Sequence, residues 1–258
     1  MVMALLIGGS VAIAQNDTAE LAKKAQNPIA SMISVPFQNN FNFGIGTYDR
    51  MQYILNIQPV VPFSLNENWN LITRTIVPVV YQPNPLAEEG SASGLSDIQL
   101  NFFFAPAKPG KVIWGAGTVF MLPTGTDQML TQGKWGLGPS IVVLTSSGHW
   151  LVGSLINNIW SVGGKKDRAD VNQFMWQYFI NYNMPKGWYL TSGPTLTANW
   201  KAADGEKWTV PFGAGIGKIF RVGKQPMNGQ ISAYYNAVKP TGASDWSLRF
   251  QLQLLFPK

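Results

Sequence analysis

Apolar and polar residues alternate along much of this chain, most clearly near its C-terminus. From residue 246 to residue 256 the even-numbered residues are apolar: Trp246, Leu248, Phe250, Leu252, Leu254 and Phe256. The odd-numbered residues from 247 to 253 are polar: Ser247, Arg249, Gln251 and Gln253. Successive side chains of a β-strand point to opposite faces, so the pattern predicts a strand with one apolar and one wet face. The segments at 171–183 and 187–200 repeat it, whereas those at 134–145 and 149–161 alternate poorly.

Segments of strand length follow one another from residue 33 to the end of the chain. About twelve are predicted, at 33–45, 51–63, 69–82, 95–106, 112–123, 134–145, 149–161, 171–183, 187–200, 207–220, 226–238 and 245–256. Short connections such as 66–68 and 185–187 alternate with longer polar ones such as 83–94 and 125–133. Outer-membrane barrels have short turns at one end and longer loops at the other, whereas a soluble sandwich has no reason to alternate them.

Tryptophan residues lie at the ends of these segments. Trp188 and Trp200 bracket one segment, Trp150 and Trp160 bracket another, and four more segments open on Trp69, Trp135, Trp208 and Trp246. Aromatic residues at both ends of membrane-spanning elements form girdles at the two interfaces of a bilayer. The predicted fold is therefore all-β, a transmembrane antiparallel up-and-down β-barrel of about twelve strands with a short N-terminal helix.

Composition agrees with a membrane barrel and narrows the chemistry. Charged residues make up 12% of the chain, about half the share usual in soluble domains. Apolar runs of about 18 residues, which a membrane-spanning helix requires, are missing after residue 14. The chain has no Cys and one His, so we expect no disulfide, no metal site and no cofactor. Its net charge of +6 is scattered, which argues against nucleic-acid binding.

The N-terminal residues differ from the rest. Residues 1–14 are apolar and end in Ala12-Ile13-Ala14, which predicts a signal peptide cleaved before Gln15. Residues 15–32 are predicted as an extension in which 17–27 form a short helix that Pro28 ends. Residues 33–258 are then the barrel. The extension suits either a periplasmic tail or a small plug.

The polar parity of the strands supplies the candidate functional residues. A charge facing lipid at mid-membrane costs about 2–4 kcal/mol, so Arg74 is predicted to face the lumen with the polar residues. The candidates for lining a pore are Arg74, Asn56, Gln58, Gln99, Asn101, Gln173, Gln177, Asn181, Thr195, Thr197, Asn199, Ser232, Tyr234, Asn236, Arg249, Gln251 and Gln253. The alternative is that these groups only satisfy one another inside a filled barrel.

Two motifs invite other chemistry. The stretch GAGIGK at 213–218 lacks the spacing of a phosphate-binding loop, and its alternating glycines instead indicate a strand that needs lumen space or curvature. His149 is the one histidine that a membrane hydrolase would need, but it lies in a predicted turn without an evident orienting group. We predict no catalytic residue and no enzyme activity.

Several stretches resemble a transporter family of Gram-negative outer membranes, related to the "meta-pathway of phenol degradation" barrel proteins, of which some members are mislabelled neuromedin U. They lie at 19–44, 55–79, 102–110, 133–140, 180–194, 217–226 and 248–258. The resemblance implies an outer-membrane barrel with a transport role and supplies neither a substrate nor a functional residue. The ending LLFPK departs from barrels that end on an aromatic residue, because Phe256 is third from last.

These observations predict a porin-like channel or transporter for small solutes in the bacterial outer membrane, reached by export through the periplasm. The family name alone suggests aromatic or poorly polar solutes. The expected partners are outer-membrane lipid and lipopolysaccharide, the barrel-insertion machinery and the solute itself. The alternative is a non-transporting barrel that serves as a structural protein or interacts through its loops.

Overall fold

The computed structural model describes residues 20–257. The predicted signal peptide at 1–14 and the first residues of the predicted helix lie outside them. A helix, α1, covers residues 20–26, within the helix predicted from the sequence. Within the described range, no helix is long and apolar enough to cross a membrane.

Fifteen β-segments follow the helix. They are β1 (Ile33–Ile45), β2 (Arg50–Ile57), β3 (Val60–Ser64), β4 (Trp69–Pro83), β5 (Ser91–Leu95), β6 (Ile98–Pro106), β7 (Val112–Leu122), β8 (Lys134–Ser147), β9 (Trp150–Gly164), β10 (Asn172–Asn183), β11 (Trp188–Ser192), β12 (Thr195–Asn199), β13 (Trp208–Val222), β14 (Gln225–Val238) and β15 (Trp246–Phe256). The pairs β2 and β3, β5 and β6, and β11 and β12 each continue one strand across a two-residue interruption. Fifteen segments therefore build the predicted twelve strands.

The sheet closes into a barrel because every strand pairs antiparallel with its neighbours along the chain and β1 pairs with β15. Closure runs in register from Ile33 opposite Phe256 to Phe43 opposite Trp246. A closed sheet has no edge, so each strand finds backbone partners on both sides without water. The predicted up-and-down antiparallel barrel is confirmed.

The two ends of the barrel carry different connections. At the end where β1 begins and β15 finishes, which we call the terminal end, the turns are short: 65–68, 107–111, 148–149, 184–187 and 223–224. At the opposite end, which we call the loop end, the connections are 46–49, 84–90, 123–133, 165–171, 200–207 and 239–245. Except for 46–49, the loops at the loop end are longer than the turns, as the sequence predicts.

The outward face is apolar and has a band of tryptophan at each end. Trp69 and Trp114 meet edge to face near the terminal end with ring centroids 6.0 Å apart, and Trp200 and Trp208 do so near the loop end at 5.4 Å. Between the bands the exposed side chains are mainly aliphatic or aromatic, such as Ile231. This surface has the form that a bilayer requires of a barrel.

The strands whose sequence alternates poorly are regular in the structure. In β8 buried and exposed residues alternate without a break from Lys134 to Leu144. Near the terminal end of β8 both faces are apolar, however, since Val142 and Leu144 point inward while Ile141 and Val143 point outward. The sequence pattern fails here because the interior beside β8 is apolar.

Candidate functional site

The interior of the barrel has two unlike halves. One half, bounded by β3 to β10, is filled by a cluster of buried apolar side chains that we call the apolar half: Ile29, Val60, Ile72, Phe103, Ala105, Val142, Leu144, Leu151, Leu155 and Phe179. Phe103 and Val142 have no exposed surface. Packing this tight leaves no space for a solute, so any passage must run along the other side.

The other side, the polar half, is lined by inward residues of β10 to β15 and of β1 to β4. It contains a cavity of about 140 Å³, and most of the residues that line it have an amide, hydroxyl or guanidinium group. Arg74, Gln58, Asn181, Arg249 and Gln251 are among the lining residues. Water and polar solutes are therefore expected on this side of the barrel only.

The N-terminal segment lies across the terminal end of this cavity. Leu21 of α1 is buried against Leu255 and Ile219, which are inward residues of β15 and β13. Gln26 exchanges two hydrogen bonds with Asn183 of β10, with donor–acceptor distances of 2.9 and 3.2 Å. Because residues 25–28 line the cavity, the segment narrows it from the terminal end.

A chain of amide side chains joins the two arginines of the cavity. Arg74 donates to Oε1 of Gln58 at 2.5 Å, and Gln58 donates to Oε1 of Gln38 at 3.4 Å. Asn40 donates to the same Gln38 oxygen at 3.5 Å and accepts from Nε of Arg249 at 2.9 Å. Neutral amide oxygens thus orient both guanidinium groups without cancelling their charge.

The glycines of β13 stand where neighbouring groups approach the strand closely, and one of them lies under an aromatic ring. Tyr189 lies over β13 and donates to Oδ1 of Asn228 at 2.7 Å. A Cβ atom on Gly217 would come within 2.1 Å of the Tyr189 ring, and one on Gly215 within 2.1 Å of Ser232 Oγ. The glycines at 213–217 therefore provide interior space, in agreement with the interpretation from the sequence.

Strand register places every candidate on the inward face. Asn56 lies opposite Gln38, Gln99 opposite Met121, and Asn101, which is buried, opposite Arg74. The pairs Gln173 with Asn199 and Gln177 with Thr195 join β10 to β12, and Thr197 shares their parity. Ser232 lies opposite Arg249, and Tyr234 and Asn236 continue its parity.

The candidates are not all at one site. Arg74, Gln58, Gln177, Asn181, Arg249, Gln251 and Gln253 line the cavity together. Asn236 donates to Ser244 near the loop end, and Gln173 and Asn199 are exposed there. Asn101 is buried beside the apolar half. That the inward residues line a pore stays a prediction.

Sequence reasoning omitted several residues of the cavity. Gln38 and Asn40 of β1, Thr191 of β11, and Asn228 and Gln230 of β14 are polar and inward, and all but Asn40 line the cavity. They point to the same face of the sheet as Gln253, Arg249 and Ser232. Strand parity alone is thus sufficient to find them once the register is known.

One long loop folds over the loop end of the barrel. Asp97, at the interruption between β5 and β6, is buried and accepts hydrogen bonds from the backbone N–H groups of Gly125 and Gln132 and from the Thr131 hydroxyl. The loop places Leu130 against Val80 and Ala92 inside the barrel. The 123–133 loop therefore narrows the interior from the loop end.

His149 lies in a turn at the terminal end, as predicted. Its Nδ1 is 2.8 Å from the backbone carbonyl oxygen of Asn183, and its ring packs on Tyr182. These contacts fix the turn to the end of β10. Among residues 20–257 there is no group of three or more metal-ligating side chains.

The fold of this chain is similar to that of outer-membrane barrels of known structure. An outer membrane channel from Pseudomonas putida F1 superposes with a TM-score of 0.66 at 16% identity over 87% of this chain and 94% of that chain. The NanC porin superposes with a TM-score of 0.56 at 11% identity over 87% of this chain and all of that one. No family model and no curated protein sequence matches this chain. The chain has the fold of the outer-membrane β-barrels.

Proposed function

We propose that this protein is an outer-membrane channel through which small solutes cross along the polar half of the barrel. One observation carries the proposal, the division of the interior into a packed apolar half and a polar half with a cavity. A barrel built only as a scaffold has no need to keep one side of its interior wet. The fold it shares with an outer membrane channel and a porin supports the same conclusion.

Residence in the bacterial outer membrane follows from the same proposal. The apolar outward face with its two tryptophan bands would contact outer-membrane lipid and, at the loop end, lipopolysaccharide. The proposal includes export through the periplasm by a signal peptide at 1–14 and folding by the barrel-insertion machinery. It also includes membership of the transporter family that the sequence resembles.

The two-sided interior also bears on the solute. A molecule in the cavity touches polar groups on one side and the edge of the apolar half at Val60 and Phe179 on the other. This environment suits small solutes that carry an apolar part, including aromatic ones. A strongly hydrated ion is less favoured in this cavity, because the apolar side of the wall cannot replace the water that the ion loses.

Reconstitution tests the channel. Purified, refolded protein in planar bilayers should give discrete current steps, and liposomes that contain it should swell in small solutes. A protein that migrates differently on gels before and after heating, and is therefore folded, but gives neither current nor swelling contradicts the proposal. The non-transporting barrel that interacts through its loops would then be the better description.

A further inference from the structure

The two arginines of the cavity carry charge that the protein does not match. None of the residues that line the cavity is acidic. Among residues 20–257 the ion pairs involve Lys24, Lys134, Lys207 and Lys239, and neither Arg74 nor Arg249. Cations brought together in a partly buried space, with only neutral amides for partners, destabilise a protein unless an anion joins them.

Tyr234, which is not among the residues that line the cavity, packs against Arg249. Its side chain is 3% exposed, and its hydroxyl has no hydrogen-bond partner within the described part of the chain. The Arg249 guanidinium carbon lies 4.9 Å from the centroid of its ring. The Tyr234 hydroxyl is 4.0 Å from where a Cβ on Gly193 would be, and Gly193 accepts a hydrogen bond from Arg249. Among the residues that the structure describes, the partners of the Arg249 guanidinium are thus an amide oxygen, a backbone carbonyl oxygen and an aromatic ring, none of which carries a negative charge.

The surroundings restrict what kind of anion fits. Val60 and Phe179 line the cavity and belong to the apolar half, so apolar surface lies within the same space as the guanidinium groups. The volume of about 140 Å³ is close to the roughly 150 Å³ that accommodates one benzene ring in an apolar cavity. A solute in this space is therefore limited to about the size of one small ring.

We infer that Arg74 and Arg249 form a binding site within the passage for the carboxylate of a small organic anion. The planar guanidinium fork matches the two oxygens of a carboxylate. The amide chain through Gln58 and Asn40 holds the forks in place. The apolar body of the anion lies against Val60 and Phe179. This inference rests on the proposed channel and names the class of solute that it carries.

Binding of benzoate to the full-length folded protein in detergent tests the site by calorimetry. Benzamide, which has the same ring and no charge, is the control ligand. Benzoate is expected to bind saturably and benzamide at least about tenfold more weakly, since a hydrogen bond to a charged group contributes about tenfold or more in affinity. Equal binding of the two ligands, or no saturable binding of benzoate, overturns the inference.

Variants test whether the arginines of the cavity bind benzoate. Arg74→Gln and Arg249→Gln should each weaken benzoate binding about tenfold or more. Arg221→Gln removes an exposed arginine that does not line the cavity, so it should bind like the wild type. An equal loss in Arg221→Gln would mean that net charge alone attracts benzoate and would overturn the site. Heat-modifiable migration on gels selects the variants that fold.

Current recordings separate this inference from the channel itself. If the wild type conducts and benzoate reduces the chloride current only when both arginines are present, both stand. Conductance without any arginine-dependent effect of benzoate keeps the channel and overturns the site. Saturable, arginine-dependent binding without conductance keeps the site and overturns the channel.

Discussion

Tyr189 and Gly217 approach each other closely in the polar half. The tyrosine ring lies where a side chain at residue 217 would be, and its hydroxyl bonds to Asn228 two residues from Gln230, which lines the cavity. Its place in the strand gives Gly217 no conformational reason to be glycine. Close approach of the ring is the reason, and the sequence shows it only as an alternation of glycines.

Gly217→Ala tests that contact. The added methyl group would meet the Tyr189 ring at 2.1 Å, so the ring must move and its hydrogen bond to Asn228 must weaken. We expect the free energy of unfolding, measured by urea titration in lipid vesicles, to fall by about 1–3 kcal/mol. Gly163→Ala is the matched control, because no atom lies within 4 Å of a Cβ there. Equal losses in both variants would contradict the explanation.

Among the elements, the N-terminal segment and the loops decide how open the barrel is. Residues 20–32 place apolar side chains inside the barrel at the terminal end, and the 123–133 loop places Leu130 inside it at the loop end. Both are held by side-chain contacts rather than by strand pairing. Contacts of this kind open at lower free energy than the sheet does.

Ile29→Ala should release the N-terminal segment from the apolar half. Ile29 is 4% exposed, and removing a buried aliphatic side chain costs about 2–5 kcal/mol. We expect faster trypsin cleavage at Lys23 or Lys24 in the folded barrel and a larger single-channel current. Leu65→Ala, which shortens an exposed turn residue, is the control. Unchanged cleavage and current would show that Ile29 does not hold the segment.

A carboxylate connects two loops at the loop end and makes them sensitive to pH. Glu206 accepts a hydrogen bond from the hydroxyl of Thr241 and another from the Thr241 backbone N–H. These bonds, the one from the hydroxyl most, hold the pKa of the Glu206 carboxyl below its usual range. Since the pKa is lowered on folding, the stabilisation is complete above the unfolded pKa of about 4.3 and is lost as pH falls through the folded value. The connection is therefore expected to weaken only in acid.

The Thr241 amide resonance reports this connection. Between pH 7 and pH 5 its chemical shift should stay constant, and below about pH 4.3 it should move toward that of a free loop. In Glu206→Gln the same resonance should not titrate. A titration that persists in the glutamine variant would assign the change to another group.

At the scale of the whole molecule, alternation of faces is what the sequence predicts best. Which side chains face outward follows from period-two patterning, because lipid on one side and water on the other impose opposite polarity. The strand number and the short and long ends follow from the lengths of the segments and of their connections. Near the terminal end of β8 both environments are apolar, so polarity there carries no information on register. The amide chain from Arg74 to Arg249 joins residues far apart in the chain, and only the closed barrel brings them together.

A matched pair of substitutions on β15 tests the orientation of the barrel wall. Phe250 is exposed on the outward face at mid-strand, and its neighbour Gln251 lines the cavity. Phe250→Arg should lower the unfolding free energy in vesicles by about 2–4 kcal/mol, the cost of arginine near the bilayer midplane. Gln251→Arg should cost clearly less, because its charge reaches water inside the barrel. The reverse order would show that the two faces are assigned wrongly.

The division of the interior has a stereochemical consequence. A solute that passes between the arginines and the apolar half meets a charged group, a hydrogen-bond donor and an apolar wall in fixed directions. A pore that makes three different contacts with one molecule distinguishes that molecule from its mirror image. A pore with a uniform lining does not. The two enantiomers of a small chiral carboxylic acid should therefore cross this barrel at different rates.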